Sequence, residues 1–152
     1  MKWPSSRRGW GKTARRQARE SALQALYAWQ LSGADPDEEA RGLEGEERGD
    51  LALFESIVSG VRDRAVELEA LISPHLDREF ARLSPVERAI LYIGALELAA
   101  HPMTPFKVVL NEAVELGKSF GAAEGYRFVN GVLEKIAAQL RPEEFARSRH
   151  NA

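Results

Sequence analysis

The chain has 152 residues, 44% of them hydrophobic, with no cysteine and a formal charge of −2 from 21 bases and 23 acids. That is enough apolar material for one packed domain, and it excludes disulfides, thiolate metal sites and cysteine nucleophiles. The small net charge hides a division: residues 1–19 carry seven bases and no acid, which leaves the other 133 residues at −9.

Residues 1–12 (MKWPSSRRGWGK) are rich in Gly, Pro, Ser and Arg and read as a flexible basic arm. The arm lacks the apolar core of a signal peptide, so it is expected to be retained. No stretch approaches the roughly 18 apolar residues of a membrane span, and the absence of cysteine fits a reducing compartment. The expected location is cytoplasmic, with no membrane partner.

A helix begins near Thr13, with Ala18, Ala22, Ala25, Leu26 and Trp29 on one face, and stops at Ser32-Gly33. Residues 34–50 hold eight acids, two arginines and three glycines and read as a solvated loop. From 50 to 72 a long helix is expected, because Leu51, Phe54, Ile57, Val58, Val61, Ala65, Leu68 and Ile72 keep helical spacing.

Three Ser/Thr-Pro pairs, Ser73-Pro74, Ser84-Pro85 and Thr104-Pro105, then mark three starts. A hydroxyl at the N-cap accepts an orphan N–H, and proline at the first helical position loses nothing by lacking one. Ser84 and Glu87 also have capping-box spacing. The implied helices are 74–82, 84–100, 105–120 and 123–139, with 141–152 as a short C-terminal tail. No segment alternates with a period of two between turns. The fold class is all-α, with six or seven helices.

Catalytic patterns are absent. His75, His101 and His150 share no helical face, so no metal site or cofactor is expected. Gly11-Lys12-Thr13 resembles the end of a phosphate-binding loop, but the required upstream glycine is Ser6 and no strand precedes it. Glu87, Glu97, Glu112 and Glu115 have no neighbouring histidine or metal to make them acid–base catalysts, and read as solvated or capping carboxylates. The expected protein is not an enzyme.

The basic start is the better lead. Arg15, Arg16 and Arg19 fall in the first turns of a helix, where cations oppose the macrodipole at about 0.3–1 kcal/mol each. An anionic ligand would offset that cost, and a solubilising tail is the competing account. Trp3 and Trp10 among the cations favour stacking on unpaired bases. Further along, Val109, Ala113, Leu116 and Phe120 form one core stripe, and Phe128, Val132 and Ile136 form another. Asn130-Gly131 interrupts a helical pattern, so Gly131 is expected at a close helix contact, with Asn111 and Asn130 bonding across buried contacts.

Four ordered segments carry a resemblance: RRQARESALQALY at 15–27, LSPVERAIL at 83–91, PFKVVLNEAVELGKSFG at 105–121 and FVNGVL at 128–133. Over roughly residues 13–140 the chain resembles the NusB family of transcription antitermination factors. The resemblance implies two small helical bundles. It also implies binding to single-stranded boxA RNA of ribosomal RNA leader transcripts, together with the small-subunit ribosomal protein that acts as NusE. That pair joins the RNA polymerase antitermination complex. The family's RNA-binding positions fall on Arg15, Arg16 and Arg19, with Lys12 beside them, and on Glu124. Its partner-binding positions fall on Tyr27, Glu87, Phe106, Phe120 and Phe128.

Taken alone, the residues leave some of these open: Glu87 either caps its helix or meets a basic partner, and Phe128 reads first as core. The longer, Trp-rich start and Gln17 within the basic run depart from the family pattern. The runner-up reading is a NusB-like interaction module related to the N-terminal domain of ribosomal RNA cytosine methyltransferases. The chain ends soon after Arg141 without a cofactor-binding α/β segment, so catalysis is not expected on that reading either. A monomer and a homodimer are both compatible with the sequence.

Overall fold

The structure is a computed structural model that describes residues 13–36 and 50–150. The basic arm with Lys12, Trp3 and Trp10, and most of the acidic 34–50 segment, lie outside the described residues. Six α-helices fall wholly within them: α1 (Ala14–Ser32), α2 (Leu51–Ile72), α3 (Pro85–Ala100), α4 (Phe106–Phe120), α5 (Gly125–Leu140) and α6 (Pro142–His150). None is long and apolar enough to cross a membrane.

Local chemistry sets most of the boundaries. Thr13 caps α1 by accepting from the Arg16 amide at 3.0 Å, and Gly33 ends it in the left-handed conformation (φ 71°) that glycine adopts without cost. Asp50 caps α2 by accepting from the Leu53 amide. Ser84 caps α3, and its hydroxyl donates in turn to the Glu87 carboxylate at 3.1 Å.

The other two hydroxyl–proline pairs behave differently. Ser73–His75 is one 3₁₀ turn and Phe80–Arg82 another, so the helix expected over 74–82 is two short turns. At α4, Pro105 is itself the cap, and the first amide, Phe106 N–H, donates to Glu144 of α6 at 2.8 Å. The expected tail is therefore a docked helix: Phe145 of α6 packs on Phe106 with ring centroids 5.6 Å apart. Within α2, Arg64 leaves helical geometry (φ −121°, ψ 20°) and kinks the predicted single helix.

Helix α3 is the axis of the molecule. Residues Ala89 to Leu98 are all buried, because α1 and α2 pack on one side of it and α4 and α5 on the other. The two expected bundles are these two sets, and one continuous apolar core runs through both. Two glycines let helices cross closely. A Cβ on Gly60 would meet the Leu96 methyls at 2.8 Å, and one on Gly94 would meet the Leu133 Cδ1 at 2.6 Å. Gly131, expected to play that part, faces open space, and Asn111 is exposed rather than bonded across a buried contact.

At the α4–α5 corner Gly117 faces backbone rather than flexible side chain. An added Cβ would lie 2.9 Å from Tyr126 Cβ and 3.0 Å from its Cα. Gly117→Ala should force the two helices apart and cost roughly 1–3 kcal/mol, read as a lowered thermal midpoint. An unchanged midpoint would show that this corner is not tightly packed.

Candidate nucleic-acid interface

The three arginines at the start of α1 meet three different environments, graded along the helix. Arg15 is half exposed, and its Nη1 lies 3.6 Å from the Asp50 carboxylate, a loose surface pair of small energetic value. Arg16 is held in a fork: Nε donates to Glu112 Oε2 at 3.1 Å and Nη2 to Oε1 at 3.2 Å. Hydrogen bonding to Glu112 raises the Arg16 pKa further above its ordinary value. Arg19 is 2% exposed and makes the same fork with Glu97, at 3.0 and 2.8 Å.

Arg19 is thus a core residue and cannot reach a phosphate from this position. Burial opposes charge on both partners of that pair. The hydrogen bonds and mutual attraction outweigh it, so the Arg19 pKa is raised and the Glu97 carboxyl is held below its ordinary range. His101 assists: its Nδ1 lies 3.8 Å from Glu97 and its Nε2 bonds the Ser56 hydroxyl at 2.8 Å.

Glu97 and Glu112, expected to be solvated or capping, are instead counter-ions to α1. They and Asp50 supply from other helices the negative charge that the first turn of α1 lacks. The macrodipole cost of the arginines is therefore offset internally and does not by itself demand an external anion.

A second cluster gathers where α3 and α5 begin. Glu87 and Phe128 are half-buried there, with the Glu87 carboxyl carbon 4.0 Å from where a Cβ on Gly125 would lie. The Arg78 guanidinium sits 5.5 Å above the Phe128 ring. Glu124, in the left-handed region at φ 68°, is exposed and pairs with Arg127 at 2.7 Å. Of the other expected partner contacts, Phe120 is half-buried at the end of α4, while Tyr27 and Phe106 are buried. Phe106 lies at the opposite end of α4 from Phe120 and belongs to the core with Phe145, so it is not a surface contact.

Sequence reasoning passed over Lys118, Tyr126 and Arg127. Lys118 Nζ and Arg127 Cζ lie 5.2 and 5.8 Å from the Tyr126 ring, placing two cations around one aromatic at the α4–α5 corner. The adjacent Tyr126-Arg127 pair carried the signal, the same mixture of aromatic and cation noted at Trp3 and Trp10. Among the described residues no cluster of His, Asp or Glu has the arrangement of a metal site.

The described residues thus place two partly exposed arginines at a capped helix start, with carboxylates of other helices behind them. The NusB family profile matches residues 16–138. The chain belongs to the NusB family. It is 53% identical over 137 residues to the transcription antitermination protein NusB of Burkholderia ambifaria, covering 88% of this chain and 94% of that one. The NusB of Burkholderia cenocepacia matches to the same extent.

Among solved structures, NusB of T. maritima superposes with a TM-score of 0.79 at 28% identity, covering 89% of this chain and 99% of that one. A crystal structure of antitermination factors NusB and NusE in complex with dsRNA gives 0.72 at 28% identity, over 83% and 97%. NusB-family membership makes this a non-catalytic transcription antitermination protein with the all-helical NusB fold.

Proposed function

We propose that this chain binds boxA-type RNA through the start of α1, does so together with NusE, and joins the RNA polymerase antitermination complex. The observation that carries the reading is the pair Arg15 and Arg16, on the first exposed turn of a helix that Arg19 anchors in the core. The related structure of NusB and NusE with double-stranded RNA supports both kinds of partner. Guanidiniums on phosphates supply affinity, and contacts to base edges together with the protein partner supply specificity. Glu87, Phe128 and Arg78 form the surface assigned to NusE. Glu124, an acid, serves the RNA by holding Arg127 rather than by meeting phosphate.

A titration of single-stranded boxA RNA against wild type and Arg15→Ala/Arg16→Ala, across a salt series, tests this. Two lost phosphate contacts should weaken binding and reduce the log–log salt slope by about 1.4, at roughly 0.7 per contact on a single strand. Adding NusE should tighten binding. An unchanged affinity and slope in the variant would remove α1 from the interface, and equal affinity for a duplex of the same sequence would remove the single-strand preference. Arg19 is left intact in this design because its loss would act on folding.

A further inference from the structure

We propose that Glu112 is a positioning residue of the RNA interface, gripping the Nε–Nη2 edge of Arg16 so that the adjacent Nη1–Nη2 edge is presented to a phosphate; this rests on the RNA reading above. The Arg16–Glu112 fork uses Nε–H and one Nη2 hydrogen. A guanidinium has five N–H donors, so both hydrogens of Nη1 and one of Nη2 remain. None of these three meets another acceptor among the described residues. Two of them, one on Nη1 and one on Nη2, run parallel along the Nη1–Nη2 edge and match two oxygens of one phosphate.

Exposure follows the same order. The Glu112 side chain is 15% exposed and that of Arg16 is 40%, so the carboxylate lies inside and the guanidinium outside. Both ends of the arrangement are anchored. Glu112 sits in the middle of α4, and the Arg16 amide is fixed by the Thr13 cap. An arginine held this way has already lost rotamer freedom that a free surface arginine would lose on binding. Arg15 has no such grip, since its pairing with Asp50 at 3.6 Å lacks hydrogen-bond geometry. Arg16 is therefore the more ordered of the two contacts.

The sign of the effect separates positioning from plain electrostatics. Glu112 is a negative charge beside a site for a polyanion, so on charge alone its removal would tighten RNA binding. Positioning requires that removal to weaken it.

The experiment titrates the same boxA RNA against wild type, Glu112→Ala, Glu112→Gln, Arg16→Ala and the Arg16→Ala/Glu112→Ala double variant, each across a salt series. Glu112→Ala should bind roughly three- to tenfold more weakly, the effect of losing about one hydrogen-bonded contact. Its salt slope should stay close to that of wild type, because Arg16 keeps its charge, whereas Arg16→Ala should lose about 0.7. Glu112→Gln, which keeps one acceptor, should lie between wild type and Glu112→Ala. The double variant should be no weaker than Arg16→Ala, because Glu112 then has nothing to position. Circular dichroism at the titration temperature confirms that each variant is folded. Equal or tighter binding by folded Glu112→Ala, or a further loss in the double variant, overturns the proposal while leaving the RNA reading intact. Failure of the wild type to bind removes the reading and this inference together.

Discussion

Arg19→Ala should destabilise the fold by roughly 3–5 kcal/mol, the cost of stranding one partner of a buried ion pair. Against a total stability of about 5–15 kcal/mol that is a large fraction, and at the low end of the range it leaves a measurable share of the protein unfolded. The Glu97 carboxylate is 1% exposed and receives both arms of the Arg19 fork. With Arg19 gone, His101 at 3.8 Å is the one cation-forming group still beside it among the described residues. Glu97→Ala should cost a similar amount by stranding Arg19. The double variant Arg19→Met/Glu97→Leu should recover most of the loss, since apolar replacement of a whole buried pair is often neutral. Chemical denaturation of the four proteins measures this. A single-variant loss below about 1 kcal/mol would mean that the pair opens to water.

The same pair gives the protein an acid-sensitive component. The Glu97 pKa is lowered in the folded state, so its contribution is present in full above the ordinary carboxylate value of 4.5 and is lost as pH falls through the folded value. Glu97→Gln should flatten the stability profile in that acid window. RNA affinity should follow only the folded fraction, because Arg19 anchors the interface helix without touching the ligand.

These partnerships mark the boundary of what the sequence discloses. The helix start at Ser84 was legible because capping chemistry acts within three residues, and the starts near Thr13 and Asp50 were legible through apolar spacing, with their caps seen only in the structure. The core stripes of α4 and α5 were legible through their period, and the family was legible through four ordered segments. The exposure of the three arginines was not. Arg16 meets a carboxylate 96 positions away and Arg19 one 78 positions away, and nothing local distinguishes a paired arginine from a free one. Arg15 and Arg19 are four residues apart and so share one helical face, but that spacing could not say that the helix begins to sink into the core within that turn. Glycines failed in the same manner: Gly131 and Gly94 both interrupt apolar helices, and only the crossing partner decides which one is needed. The docked α6 escaped notice because its anchor, Glu144, completes the start of α4 from 38 residues away.

Arg141→Ala should cost roughly 3–5 kcal/mol through a different mechanism, the loss of a cation that closes one helix and helps to open another. The Arg141 side chain is 8% exposed at the end of α3. Its Nε donates to the Leu98 carbonyl at 3.1 Å, its Nη2 to those of Glu97 and His101 at 2.9 Å each, and its Nη1 to that of Thr104. These include carbonyls that the last turn of a helix cannot satisfy, lying where the macrodipole favours positive charge. Nη1 also pairs at 3.3 Å with Glu144, whose other oxygen accepts the first amide of α4. One side chain thus joins the negative end of α3, the positive end of α4 and the docking of α6. Arg141→Lys keeps the charge but not the planar fork, so it should recover less than half of the loss. A urea midpoint that moves little in Arg141→Ala would show that water replaces the guanidinium without cost. Arg141 lies beside the start of α4, whereas Glu112 sits near its middle and Lys118 near its end. The folded fraction of Arg141→Ala should therefore bind RNA as tightly as wild type, so that stability and recognition separate along a single helix.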